Sequence, residues 1–134
     1  MTNIMAKRIP IREGLFTEGP DGGRLLANKC KSCGQVFFPK VAFCFSCLKE
    51  NMEDIILSRQ GKLFTYTIAH MATMHFKPPY SVGYIEMPEG LRIFSPLKMV
   101  ESKPFKIDMD MELSIEELWQ EDDKHIIGYK FKPL

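Results

Sequence analysis

Four cysteines constrain this chain more than any other feature. Cys30, Cys33, Cys44 and Cys47 are the only ones, spaced C-x2-C-x10-C-x2-C within 18 residues. Each Cys-x2-Cys pair sets two thiolates on one face of a tight turn. Two such knuckles close a tetrahedron around Zn²⁺ at roughly 2.3 Å per ligand. Gly34 directly follows the first pair and is free to take the positive φ that turns the chain back past the metal. Lys29 and Lys31 offset part of the negative charge of a metal tetrathiolate. The alternatives are two disulfides, disfavoured in a reducing cytoplasm, and four free buried thiols, which this spacing disfavours further. A thioredoxin-like redox pair needs one Cys-x2-Cys at a helix start after a strand, not two. Iron competes with zinc because rubredoxin-like sites use the same four thiolates, which keeps electron transfer open as a third function. Zinc is the expectation. With all four positions filled by protein, the ion is a structural clip with no open site for catalysis, and its binding free energy becomes folding free energy.

Between the knuckles, residues 35–43 predict two short strands with a turn near Pro39-Lys40, giving a zinc ribbon over residues 25–52. Phe37, Phe38, Phe43 and Phe45 crowd a module too small to bury them all. They pack on the knuckles and the neighbouring domain, or one or two of them form a partner-facing patch. Residues 1–24 read as an N-terminal arm, broken by Gly14, Gly19, Pro20, Gly22 and Gly23, with at most a short helical turn over 10–18. Such an arm suits ordering by a partner.

Beyond the ribbon the pattern is that of strands. Residues 61–70 alternate and are rich in β-branched and aromatic side chains. Residues 80–87 and 91–97 form a hairpin around Pro88-Glu89-Gly90. Met109, Met111, Leu113 and Ile115 alternate with acidic and polar residues, one face dry and one wet. Ile127, Tyr129 and Phe131 form a last strand after the acidic turn 120–124. The expected class is mainly β: arm, four-Cys zinc ribbon, then a five-stranded OB-fold barrel over residues 53–134.

Composition narrows the function. Ten Phe and nine Met supply a core, and 134 residues suffice for one ordinary domain with an appended module. Lys plus Arg number 18 against 17 Asp plus Glu, a net charge of +1, which argues against a general nucleic-acid binder. No targeting or spanning segment is evident, so a cytoplasmic protein without membrane contact is expected. There is no nucleophile elbow, phosphate loop or His-Glu-x-x-His, and no cysteine is left over for a Cys–His pair. His70 and His75 flank an apolar loop and read as surface or hydrogen-bonding residues. Arg92, Lys98, Lys103 and Lys106 read as ordinary surface, or as a weak site for the phosphates of a ligand such as coenzyme A. No catalytic residue is expected, and no cofactor-binding residue is identified beyond the cysteines.

The order of these parts resembles the DUF35 family, OB-fold proteins associated with acyl-CoA that carry a rubredoxin-like zinc ribbon. The residues that carry the resemblance are Cys30 to Gly34, Val36-Phe37-Phe38-Pro39, Cys44, Cys47, the barrel opening Gln60 to Thr67, Pro79-Tyr80, and Glu89-Gly90-Leu91-Arg92. Two positions depart from it. Leu48 stands where such ribbons commonly have Gly, which predicts a tighter or differently capped second knuckle. Asp108-Met109 stands where Gly often precedes the fourth strand, which leaves that turn's geometry open. The resemblance implies a non-catalytic accessory subunit of a thiolase-type complex that cleaves or forms a C–C bond in CoA thioesters. In such a hetero-oligomer the thiolase-like partner supplies the nucleophile, and this chain braces it and helps form the acyl-CoA site. The ribbon and arm then contact the large subunit, and the barrel either binds it as well or presents loop 70–80 toward the substrate. The rival reading is a single-stranded nucleic-acid module, with Phe64, Tyr66 and Phe94 stacking bases.

Overall fold

The computed structural model describes residues 7–134; the first six residues of the expected arm lie outside the described residues. Those described form ten strands and no helix: β1 (Lys7–Pro10), β2 (Phe16–Thr17), β3 (Arg24–Cys30), β4 (Val36–Phe37), β5 (Met52–Ile56), β6 (Gln60–Ala69), β7 (Tyr80–Glu86), β8 (Arg92–Leu97), β9 (Asp110–Glu121) and β10 (Lys124–Pro133). No helix among them is long and apolar enough to cross a membrane.

Strands β6, β7, β8, β10 and β9 close into a five-stranded barrel. The antiparallel hairpins β6–β7, β7–β8 and β9–β10 make most of it. Closure comes from a short β6–β9 pairing and from the parallel contact of Phe131 with Leu97 between β10 and β8. Period-two alternation drives the packing. Met111 and Leu113 point inward from β9, Ile93, Ser95 and Leu97 from β8, and Ser81, Gly83 and Ile85 from β7. A bulge at Phe64 breaks the alternation in β6, so that Phe64 and Thr65 both face outward and Tyr66 turns in. The buried Ser81 hydroxyl donates to the Thr67 carbonyl at 2.9 Å, so the core carries it without an unpaired donor.

In the ribbon, β3 is the central strand, with β4 and β2 along one side and β5 along the other. The expected pair of strands within 35–43 is corrected. Only Val36–Phe37 is a strand, and it pairs back on β3 across the first knuckle. Residues 38–43 stay irregular because a side chain takes the place of a strand. The buried Asn28 amide donates to the Val41 carbonyl at 2.7 Å and accepts from the Val41 N–H at 3.3 Å. The helical turn expected over 10–18 is likewise absent; bends and turns lead into β2. β1 instead lies parallel to β10 as a sixth strand on the barrel. Arg59 then ties the arm down, donating to the Gly23 carbonyl at 2.6 Å and the Leu113 carbonyl at 2.9 Å.

Ribbon and barrel share one core. Leu25, Ala27 and Val36 of the ribbon lie in the same buried cluster as Leu63, Ile85, Ile93, Met111, Leu113 and Phe131 of the barrel, with Leu57 at the junction. Each such aliphatic or aromatic side chain contributes roughly 1.5–3 kcal/mol of burial, so neither part presents an independent apolar interior.

Candidate metal centre

The two knuckles are built alike. The Cys30 N–H donates to the Gln35 carbonyl at 2.9 Å and the Gly34 N–H to the Cys30 carbonyl at 2.8 Å. In the second knuckle the Cys44 N–H donates to the Lys49 carbonyl at 2.9 Å and the Leu48 N–H to the Cys44 carbonyl at 2.8 Å. Gly34 sits at φ 82° and Leu48 at φ 64°. The expected tighter or different cap is therefore corrected: Leu48 enters the left-handed region that Gly34 occupies freely, at a cost of roughly 1–2 kcal/mol. Asp108 does the same at φ 69°.

These turns gather the four sulphurs to within 4.8 Å of one another. The shortest approaches, Cys30 Sγ to Cys47 Sγ and Cys33 Sγ to Cys44 Sγ, are both 3.5 Å and both run between knuckles. A tetrahedron of thiolates at roughly 2.3 Å from zinc has edges of about 3.8 Å, which fits. A disulfide needs about 2.05 Å, which does not. Cys30 and Cys44 are buried, Cys47 is half-buried and Cys33 is exposed.

The electrostatics also call for a cation. Backbone N–H groups of Cys33 and Ser32 favour the Cys30 thiolate and hold that thiol down at about 6. At Cys44 burial works against ionisation, but the N–H groups of Cys47 and Ser46 outweigh it and lower the thiol. Cys33 and Cys47 go the other way. The Gln35 and Lys49 N–H groups favour their thiolates, yet neighbouring thiols and burial prevail, raising Cys47 and pushing Cys33 up to about 11. Four sulphurs this close do not all ionise on their own; a divalent ion bound among them would supply the missing positive charge.

Around the second knuckle lies an apolar tip. Phe45 stands edge-on to Phe37 at 5.3 Å and to Phe43 at 5.4 Å, yet Phe45 is 62% exposed and Leu48 71%. Phe38 leaves this group and meets Tyr129 of the barrel edge-on at 5.5 Å. The four phenylalanines thus divide: Phe38 joins the barrel, Phe37 is half-buried on β4 beneath Phe45, and Phe43 and Phe45 face outward.

The other residues singled out by sequence do not converge. Lys98 pairs with Glu116 at 3.4 Å, and Arg92 lies 3.7 Å over the Phe64 ring while facing Glu86. Of the three rings assigned to base stacking, Phe64 and Phe94 are exposed, whereas Tyr66 turns in to pack on Phe105. Exposed Tyr84, opposite Phe94, takes its place. Sequence reading missed the partner of His75, which stacks on Trp119 with centroids 4.0 Å apart and planes within 7°. The contact joins residues 44 positions apart, and no local pattern announces it.

Two family models match the chain: the ChsH2 rubredoxin-like zinc ribbon domain over residues 17–53 and the ChsH2 C-terminal OB-fold domain over residues 56–116. The benzoylsuccinyl-CoA thiolase subunit BbsA of Thauera aromatica is 39% identical over 121 residues, 87% of this chain and 83% of that one. A DUF35 domain-containing scaffold protein of Methanocaldococcus jannaschii is 36% identical, covering 82% of each chain. Among solved structures, the one described as the Ltp2-ChsH2(DUF35) aldolase superposes with a TM-score of 0.68 at 23% identity, over 82% of this chain and 84% of that one, a likeness of fold.

Proposed function

The chain belongs to the DUF35 family, and on that premise we propose that it is the non-catalytic accessory subunit of a thiolase-type enzyme that makes or breaks a C–C bond in CoA thioesters. The observation that carries this reading is the apolar tip Phe43, Phe45 and Leu48, exposed on the second Cys-x2-Cys knuckle. Large exposed apolar groups on a small rigid module suit burial against a protein partner. The names of the relatives point the same way: one is a thiolase subunit, the other a scaffold protein. In this reading the arm (residues 1–24), the ribbon (25–52) and the barrel (53–134) divide the labour, the first two gripping the catalytic subunit. The CoA thioester is met at the interface, and the partner supplies nucleophile and acid–base groups. Cys30, Cys33, Cys44 and Cys47 hold a structural zinc ion; the sulphur spacing and the matched ribbon domain support it.

Co-expression with a candidate thiolase-type subunit tests the proposal. We expect a hetero-oligomer on size exclusion and thiolysis activity that needs both chains, with Phe45→Glu abolishing association without moving the melting temperature. Full thiolysis by the large subunit alone, or activity of this chain alone, overturns it. Elemental analysis showing one zinc per chain is expected; red protein with bound iron replaces zinc in the account. The nucleic-acid reading has the exposed Phe64, Tyr84 and Phe94 in its favour, but a net charge of +1 gives little for phosphates. Salt-sensitive submicromolar binding of a single strand is the result that revives it.

A further inference from the structure

Two strand edges of this molecule are treated differently. Along β1, the Lys7 N–H donates to the Asp123 carbonyl at 3.2 Å and the Ile11 N–H to the Ile127 carbonyl at 2.7 Å. Odd-numbered positions therefore point at β10 and even-numbered ones point away. Pro10 holds an outward position and has no N–H to offer, which guards that edge against another strand. β5 contains no proline and pairs with β3 alone. The Leu57 N–H donates to the Leu25 carbonyl at 3.0 Å and the Lys31 N–H to the Asn51 carbonyl at 2.8 Å, so these two bonds bracket the strand. The register between them turns the backbone of Glu53 and Ile55 toward β3 and that of Asp54 and Ile56 away from it. On that outer side neither Asp54 nor Ile56 has a backbone hydrogen-bond partner among the described residues.

The surroundings of this edge select its occupant. β5 follows closely on Lys49, whose carbonyl closes the second knuckle, so the edge continues from the exposed tip that carries Leu48. Ile56 at its far end is 62% exposed. The middle of the strand is acidic: Glu53 and Asp54 are both exposed, and Asp54 faces Lys40 at 3.2 Å. A second copy of the chain fits poorly. Antiparallel pairing of two β5 strands about their middle residue sets Asp54 against Asp54, and like charges directly opposite repel. An extended segment with a basic residue beside Asp54 and an apolar one beside Ile56 complements the edge.

We infer that the open edge of β5 receives an extended segment of the catalytic subunit, which adds a strand to the ribbon sheet. The inference rests on the accessory-subunit reading for the identity of the partner. Backbone hydrogen bonds at Asp54 and Ile56 fix the direction and register of the added strand, while the neighbouring tip supplies the apolar contact.

The experiment compares the co-expressed complex with the free zinc-loaded chain by amide hydrogen exchange resolved to single residues. The Glu53 and Ile55 amides, which face β3, should be protected in both. Those of Asp54 and Ile56 should exchange readily in the free chain and slow by about tenfold or more in the complex. Asp54→Pro removes an outward N–H and no bond to β3. It should weaken association about tenfold with zinc content and far-ultraviolet circular dichroism unchanged. Asp54→Asn loses the same carboxylate but keeps the N–H, and should associate more tightly than Asp54→Pro. Should proline disturb the ribbon, seen as lost zinc, exchange in the unsubstituted complex decides. A complex in which the Asp54 and Ile56 amides exchange as fast as in the free chain overturns the inference and leaves the accessory reading standing. So does protection of these amides in the free chain that grows with its concentration, which would assign the edge to a second copy. Full thiolysis by the large subunit with no complex formed overturns the accessory reading and this inference with it.

Discussion

Leu48 and Asp108 hold a backbone conformation that glycine adopts without strain. Leu48→Gly should therefore stabilise the zinc-loaded chain by about 0.5–1 kcal/mol, the relief of left-handed strain less the added freedom of the unfolded chain. Asp108→Gly should gain less, since aspartate tolerates this region better. Urea denaturation of the three proteins side by side checks the order. That Leu48 stays apolar, exposed and strained fits a side chain kept for what it touches in a complex. A second residue-level expectation concerns Glu116. Partial burial works to raise its carboxyl, but the Ser114 hydroxyl at 2.6 Å and the ammonium groups of Lys130 and Lys98 prevail and lower it. A carboxyl held below its unfolded value stabilises the fold above the ordinary carboxylate range and ceases to do so as pH falls through the lowered value. Glu116→Gln should thus cost about 0.5–1 kcal/mol at neutral pH, after allowance for solvent screening. The gap to the unsubstituted chain should close in acid, as followed by denaturation at a series of pH values.

At the level of elements, the barrel was legible because its signal is local. Alternation from Met109 to Ile115 and the turn Pro88-Glu89-Gly90 state where strands lie and which face is dry. The four cysteines were legible for the same reason. The interior of the ribbon was not, because its loop is held by a buried amide rather than by strand pairing. Asn28 lies 13 residues from Val41, and nothing in the pattern marks it as more than a polar residue in a strand. Asn28→Ala should cost about 2–3 kcal/mol, since it removes two hydrogen bonds and strands the Val41 backbone; thermal melts of the zinc-loaded variant measure it. The arm was misjudged on similar grounds: glycines correctly excluded a long element, but pairing to a strand at the far end of the chain is a tertiary fact. Arg59, which fastens that arm through two backbone carbonyls, is the matching test. Arg59→Met should lower stability by about 2–3 kcal/mol, seen as faster proteolysis within residues 7–24 and a reduced melting temperature.

For the molecule as a whole, the shared core decides how the metal matters. Leu25, Ala27 and Val36 belong to the same buried cluster as the barrel residues, so loosening the knuckles withdraws support from both halves. Removing zinc with a chelator should shift one cooperative transition downward rather than melt a separate ribbon, with Trp119 emission and far-ultraviolet circular dichroism moving together. Two resolved transitions would show the halves to be energetically separate.

The pairing of Lys7 with Lys124, 117 positions later, carries a consequence for biosynthesis. β1 has nothing to lie beside until β10 has been made, and the barrel, which closes through β10, waits for the same strand. The ribbon, drawn from the contiguous stretch Arg24 to Ile56, is under no such delay. All four cysteines are therefore made before the barrel strands, but the apolar cluster that Leu25, Ala27 and Val36 share with the barrel is completed only when β10 arrives.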